Sequence, residues 1–350
     1  MQKYYTRACN FYYNTTSKEN VKKKISLPIG GNKSISFDTI EIITRTNKKK
    51  ISIKSINKLP SKIKKKILID INNISRAKKI PKLKFGNLPI LMGILNITPD
   101  SFSDGGKFNK KVSAKKQIDK LIADGAKIID VGGESTRPGS KEIPQTEEWL
   151  RVNKVMSYLK SKKLFVSLDT RKSFVMKKAS KYKLDLINDV SGLSHDSEAI
   201  NFLKNSKLPF VIHHMKGTTE TMQKNPNYNN VLLDIYDYFE DKLKLIKKNG
   251  IKHNHIILDP GIGFGKNMKH NITLINNISI FHSLGLPVML GISRKRFIKD
   301  ISGQNDSEQR IGGTVSSSIF GMLQGIQILR IHDVNEVNQG IKVFKKLNFS

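Results

Sequence analysis

Cysteine is almost absent from the 350-residue sequence: Cys9 is the only one, which excludes an intramolecular disulfide and suits a reducing compartment. No run of about 18 apolar residues occurs, so no membrane-spanning helix is expected. The opening Met-Gln-Lys-Tyr-Tyr-Thr-Arg lacks the apolar core of a secretory signal. Its neighbourhood is rich in lysine rather than in the arginine of a mitochondrial presequence, so cytoplasm is the expected location. Acidic residues are scarce as well, 29 against 62 basic ones, for a formal net charge of +33. A basic field favours anionic ligands. Lysine, asparagine and isoleucine are nonetheless over-used everywhere, solvated helix faces included, as a genome-wide bias would produce. Aromatic residues do not interleave the lysine runs, as single-strand binders require, and no nucleic-acid or dinucleotide motif is present. No nucleic-acid or membrane partner is expected.

What is present divides unevenly. Residues 1–88 hold 22 basic residues against four acidic, and the remaining 262 residues hold 40 against 25. Lysine runs (Lys22–Lys24, Lys48–Lys50, Lys64–Lys66) punctuate the first part, and Ile35–Ile43 and Ile51–Ile56 read as short strands. This basic N-terminal extension is expected to be small, a strand pair with a short helix, or partly disordered. Pro81 and the Phe85-Gly86-Asn87 stretch mark its end.

From Pro89 a rhythm begins. Eight short, nearly continuous apolar runs recur: Pro89–Ile97, Ala126–Val131, Leu164–Leu168, Leu184–Ile187, Pro209–Ile212, His255–Leu258, Pro287–Ile292 and Ile326–Ile331. Such runs suit parallel strands buried on both faces. Amphipathic stretches separate most of them: Trp149, Val152, Met156 and Leu159 share one helical face, and Val334, Val337, Ile341 and Phe344 another. Eight strands alternating with helices over residues 89–350 predict an α/β fold of the (β/α)8 TIM-barrel type. A doubly wound open sheet is the alternative.

In such a barrel chemistry sits where the strands stop. The first run ends in Asn96-Ile97-Thr98-Pro99-Asp100-Ser101-Phe102-Ser103-Asp104-Gly105-Gly106, and the second in Asp130-Val131-Gly132-Gly133-Glu134-Ser135-Thr136-Arg137-Pro138-Gly139. Later runs end in Asp169-Thr170, Asn188-Asp189 and His213-His214-Met215, then in Asp259-Pro260-Gly261-Ile262-Gly263-Phe264-Gly265-Lys266. The last two end in Ser293-Arg294-Lys295 and Arg330-Ile331-His332-Asp333. A single aspartate after a strand is as readily a helix cap. Eight polar terminations around one ring imply a polar ligand.

The ring can be sorted by chemistry. Asp169, Asn188 and Asp259 supply acceptors suited to the amino-amide edge of a flat heterocycle. Lys295, Arg330 and His332 are read as cations in the quadrant where barrels bind phosphate. Asn96 offers a carbonyl oxygen to a divalent ion such as Mg²⁺ that also bridges phosphate oxygens. The loops after the first two runs are long enough to close over a substrate. The adjacent His213 and His214 suggest a metal pair, but neighbouring strand residues point to opposite faces, so a packed, hydrogen-bonded pair is expected.

These motifs, in this order, resemble dihydropteroate synthases over roughly residues 89–347. The resemblance implies a transferase of folate biosynthesis. It would condense hydroxymethyl-dihydropterin diphosphate with para-aminobenzoate to give dihydropteroate and diphosphate, through a dissociative, cationic pterin methide. It further implies that Asp169, Asn188, Met215, Asp259 and Lys295 hold the pterin, with Asp169, Asp259 and Lys295 catalytic. Asn96, Arg330 and His332 would hold the diphosphate, and Asn96 the Mg²⁺. Thr136, Arg137, Pro138, Phe264, Ser293 and Lys295 would border an aminobenzoate slot open to sulfonamides. A homodimer packed through barrel helices is also implied. Two positions depart from the family pattern: Ile262 stands where many members carry Phe, and His213 where an apolar residue is expected. Residues 1–88 have no counterpart in the family's catalytic core, and no pyrophosphokinase-like partner domain is visible. The rivals are a methyltetrahydrofolate:corrinoid methyltransferase-like barrel, which needs no diphosphate site, a non-catalytic paralogue, and a basic nucleic-acid binder.

Overall fold

The computed structural model describes residues 2–86, 89–98 and 107–349. Its first part contains four antiparallel strands, β1 (Tyr5–Tyr13), β2 (Leu27–Ile29), β3 (Asn32–Ile43) and β4 (Lys48–Ser52). β3 is central, with β1 along one edge and β2 and β4 sharing the other. Two helices, α1 (Asn14–Lys22) and α2 (Ser61–Ser75), complete this part. The expected strand at Ile35–Ile43 lies within β3. The one expected at Ile51–Ile56 stops at Ser52, whose hydroxyl accepts the Lys54 N–H and starts a 3-10 turn over Ile53–Lys58. β1 was not anticipated, because its pairing with β3 is long-range and its own pattern is weak. Ile29, Phe37, Ile40, Ile67 and Ile74 form a separate small core between sheet and helices.

Each of the eight apolar runs forms one strand, and five of the strands extend one or two residues past their run: β5 (Ile90–Asn96), β6 (Ile128–Gly132), β7 (Phe165–Asp169), β8 (Leu186–Asp189), β9 (Phe210–His213), β10 (Ile256–Asp259), β11 (Met289–Gly291) and β12 (Ile328–Ile331). All pair in parallel with their neighbours, and β12 pairs with β5. A parallel bridge from Leu258 to Val288 joins β10 to β11 and closes the ring, so the sheet is a barrel and not an open fold. Around it lie α3 (Lys107–Ala123), α4 (Gln145–Lys160), α5 (Ser173–Ala179), α6 (Glu198–Ser206), α7 (Val231–Lys248), α8 (Met268–Asn276), α9 (Arg296–Ser302), α10 (Ile311–Leu323) and α11 (Val334–Phe349).

Side chains alternate along a strand, so each contributes to the interior at every second residue. Ile90, Met92, Ile128, Phe165, Leu186, Val211, Ile257, Met289 and Ile328 form one buried cluster inside the barrel. Outward neighbours such as Leu91, Ile129, Val166, Ile187 and Leu258 pack against the helices. Two residues beyond the interior cluster the inward positions turn polar, which is the origin of the site.

The floor of the barrel is supplied from outside it. Ile80, Leu83 and Phe85 join the interior cluster, with Ile80 and Leu83 paired by a bridge. The preceding sheet leans on the barrel wall: the Tyr5 ring meets Tyr236 of α7 edge-on at 5.1 Å, and Arg45 reaches Asp234 and Asp237 at 2.7 Å each. The Tyr13 hydroxyl donates to the Leu323 carbonyl at 2.8 Å. Residues 2–75 therefore buttress the wall, while Ile80–Phe85 plug the floor. Ile80→Ala should lower stability by about 2–5 kcal/mol through lost burial and a residual cavity. Deleting residues 2–75 should lower the melting temperature yet preserve turnover. Denaturant titration and steady-state assays check both, and a folded but inactive deletion would show that the sheet completes the site.

Candidate active site

The upper interior layer follows from the alternation. Two residues beyond Ile128, Phe165, Leu186, Val211, Ile257 and Ile328, the chain places Asp130, Ser167, Asn188, His213, Asp259 and Arg330 on the inner face, and Asn96 stands four beyond Met92 on the same face. Asp169 follows Ser167 by the same step. The sequence-derived ring is thus brought together by one geometric rule. Gly132 and Gly291 also fall on inward positions. A Cβ at Gly132 would stand 3.6 Å from Asn96 Oδ1 and 3.7 Å from Asp169 Oδ2, so its absence leaves an oxygen-lined space.

Arg330 organises this layer. Its Nε donates to Asp130 Oδ2 at 2.7 Å and its Nη2 to Asp169 Oδ2 at 2.6 Å. Asp130, fully buried, also accepts from Ser167 Oγ at 2.5 Å and from Asn188 Nδ2 at 2.9 Å. These bonds leave Asp169 Oδ1 and Asn188 Oδ1 buried, with no hydrogen-bond partner among the described residues. An unmatched buried acceptor costs about 1–3 kcal/mol, so two on neighbouring strands mark a place where donors are missing. Burial raises the Asp169 carboxyl well above the carboxylate range, opposed by the Arg330 charge and reinforced by Asp130.

Asp259 closes the other side. Its Oδ1 accepts the Gly261 N–H at 2.8 Å, and desolvation pushes its carboxyl up to about 6, opposed by that bond and by Lys295. Gly261 has φ +67°, and a side chain there would collide with the His214 carbonyl oxygen. Lys295 keeps part of its surface open, yet desolvation, with Arg330 nearby, lowers its ammonium to about 8. Its Nζ lies 4.1 Å from the centre of the Phe264 ring, whose other contact is the His213 ring, edge-on at 4.5 Å. The two histidines are satisfied separately: His213 Nδ1 pairs with the Val190 carbonyl at 3.0 Å, and His214 Nδ1 with Lys266 Nζ at 3.0 Å. Met215, half-buried, follows directly.

One expectation needs correction. His332 was read as a cation, but desolvation and the charges of Arg330, Arg294, Lys295 and Arg137 depress it to about 3, so it is a neutral imidazole. Its Nδ1 lies 3.1 Å from Ser293 Oγ, which also accepts the His332 backbone N–H at 3.2 Å. Between Ser293 and Lys295, Arg294 adopts the left-handed conformation at φ +60° and turns its guanidinium away onto Asp333, at 2.5 and 3.1 Å. Arg330 likewise spends two of its nitrogens on carboxylates.

Thr136, half-buried, and the exposed Arg137 and Pro138 ride the loop between β6 and α4. In that loop the Gly139 N–H donates to the Thr219 carbonyl at 2.9 Å, and Ser140 Oγ to the Ser135 carbonyl at 2.6 Å. The expected closing loop at Asp100–Gly106 lies outside the described residues. Sequence reasoning missed Asp130 and Ser167 as site residues. The signal was available, since each is a polar residue within an apolar run at inward register.

Comparison with known proteins agrees with this geometry. Residues 92–332 match the family described as pterin binding enzyme. The dihydropteroate synthase of Escherichia coli K12 is 39% identical over 256 residues, covering 73% of this chain and 90% of the relative. Among solved structures, the Yersinia pestis dihydropteroate synthase in complex with a sulfonamide drug superposes with a TM-score of 0.71 at 35% identity, covering 77% of this chain and 97% of that one. The Xanthomonas albilineans dihydropteroate synthase with 4-aminobenzoic acid gives 0.72 at 34% identity, covering 77% and 96%. The chain belongs to the pterin-binding enzymes and, among them, to the dihydropteroate synthases.

Proposed function

We propose that the barrel mouth joins hydroxymethyl-dihydropterin diphosphate to para-aminobenzoate, with the pterin lying flat above the inner apolar layer. The observation that carries this reading is the pair of unmatched acceptors, Asp169 Oδ1 and Asn188 Oδ1. A pterin presents N–H donors along its amino-amide edge, which fits two such acceptors on adjacent strands. Asp259 accepts from the ring on the facing side, Lys295 donates to it from above Phe264, and Met215 packs beside it.

In the reaction the C–O bond to diphosphate breaks with its electron pair leaving on oxygen. The amine nitrogen then forms the C–N bond and loses a proton. Positive charge develops on the pterin methylene, and the carboxylates of Asp169 and Asp259 stabilise it. Arg330 and the neutral His332 face the departing diphosphate, the first as a charge and the second as a single hydrogen-bond donor. Asn96 Oδ1, beside Gly132, is a hard oxygen donor of the kind a divalent cation takes. Asn96 would hold Mg²⁺ there through Oδ1, and the ion would neutralise phosphate charge. Thr136, Arg137, Pro138, Phe264, Ser293 and Lys295 border the aminobenzoate slot. Relatives crystallised with 4-aminobenzoic acid and with a sulfonamide support a slot of that kind, where sulfonamides compete.

The remaining proposals concern context. Residues 89–350 carry the catalytic machinery and residues 1–88 are the basic extension, except that its Ile80–Phe85 segment packs into the barrel floor and corrects the boundary expected at 88. Phe320 of α10 and Val343 and Leu347 of α11 are exposed apolar side chains suited to a homodimer contact through these helices. The cytoplasm suits a single buried cysteine.

Asp169→Asn and Asp259→Asn should each lower kcat/KM for the pterin substrate more than about tenfold, the worth of one charge-assisted hydrogen bond. Circular dichroism should show the fold retained, and near-wild-type turnover in either variant would remove the pterin-edge assignment. A pH profile tests the same groups. Below about 6 Asp259 takes up a proton and stops being a charged acceptor, and above about 8 Lys295 loses its proton. The kcat/KM profile should therefore be bell-shaped; burial also raises the Asp169 carboxyl, which shares the acid limb, so Asp259→Asn should shift that limb rather than erase it. A profile that stays level from well below 6 to well above 8 would contradict the roles given to both residues.

A further inference from the structure

Behind the loop that carries Thr136–Pro138 lies a buried ionic group that the reaction as described does not use. Glu134 opens this loop and Ile143 ends it. The Glu134 carboxylate folds across the gap: Oε1 accepts the Ile143 N–H at 2.8 Å and the Lys172 ammonium at 3.0 Å. Lys172 Nζ also donates to the Ile143 carbonyl at 2.6 Å. Both backbone groups of Ile143 are thus held by one ion pair, and a ten-residue loop is stapled at its base. Arg171 supports the staple from the adjacent position, with Nε on Glu134 Oε2 at 3.2 Å. Glu148 of α4, fully buried, lies 3.2 Å from Lys172 Nζ. Glu134, Arg171 and Lys172 are themselves less than a tenth exposed.

Burying such a pair costs several kcal/mol per ion in desolvation, repaid only with good geometry and further hydrogen bonds. Apolar side chains would fill the space at less cost, so a specific geometric return is the reason to look for. Closing a loop also costs entropy, which must be met either in the free protein or at the moment of binding. A staple at the loop's base meets it in the free protein.

We propose that Lys172 and Glu134 are positioning residues for the amine substrate: their ion pair fixes the base of the loop and so positions the Thr136–Pro138 wall. The inference rests on the activity and slot proposed above. Neither residue touches a substrate; each acts through the backbone of Ile143. Because the wall borders only the aminobenzoate slot, losing the staple affects that substrate and spares the pterin, which the barrel strands hold.

The test uses the full-length enzyme with Lys172→Met, Lys172→Arg and the charge-balanced double variant Glu134→Gln/Lys172→Met. KM is measured separately for the pterin diphosphate and for para-aminobenzoate. Calorimetry measures sulfonamide affinity for enzyme already saturated with pterin and diphosphate. Lys172→Met should raise the aminobenzoate KM and the sulfonamide Kd about tenfold or more, as misplacing a substrate wall does. The pterin KM and kcat should stay within about twofold, and Lys172→Arg should recover much of the loss. Where Lys172→Met fails to fold, the double variant, which avoids stranding the Glu134 charge, should show the same split. If the two KM values move together, or neither moves, in a folded variant, the proposal is overturned. A wild-type enzyme that makes no dihydropteroate would instead overturn the activity reading on which it rests.

Discussion

Carboxylates do not stay buried inside a barrel unless something holds them there. Asp130, Asp169 and Asp259 lie within the mouth of this one, and isolated burial would cost several kcal/mol for each charge. The Arg330 guanidinium answers for two of them, forming bonds of 2.7 and 2.6 Å from adjacent corners of one planar group. The third relies on the Gly261 N–H and on Lys295. Much of the site follows from this arrangement. Asn188 is turned by its bond to Asp130, so its carbonyl oxygen and the second oxygen of Asp169 are left to receive a ligand's donors. In the function proposed above, the fixed orientation of these acceptors lets them meet a pterin edge without reorganising.

The physical division of the barrel is equally plain. A closed apolar layer from Ile90 to Ile328 carries stability, and the next inward layer carries chemistry. Ile80–Phe85 seal the lower end, and the sheet before them braces the wall at α7 and α10. The polar inward side chains of the strands lie at the end where the strands terminate, and apolar side chains from another segment plug the floor.

Legibility of the sequence followed the range of the interactions involved. Strand positions and the ring of Asn96, Asp169, Asn188, Asp259 and Arg330 were readable because period-two alternation and strand ends are local patterns. Asp130 was readable in principle, as a charge inside the apolar run Ile128–Val131, but only with its inward register taken into account. The protonation state of His332 was not readable, since it depends on cations contributed by Arg137, Arg294 and Lys295 from other loops. The pairing of β1 with β3 joins residues such as Tyr5 and Ile43, and the Glu134–Lys172 staple joins two loops; neither leaves a periodic trace. Tertiary pairing supplied what local pattern could not.

Whether Asp169 and Asn188 present ready acceptors to a pterin edge is read most directly from a crystal structure of the protein with a bound pterin. The ring's amino-amide edge should lie within hydrogen-bond distance of Asp169 Oδ1 and Asn188 Oδ1, with Arg330 still bonded to Asp130. A pterin bound with those two oxygens still unmatched, or one whose binding pulls Arg330 away from Asp130, would contradict it.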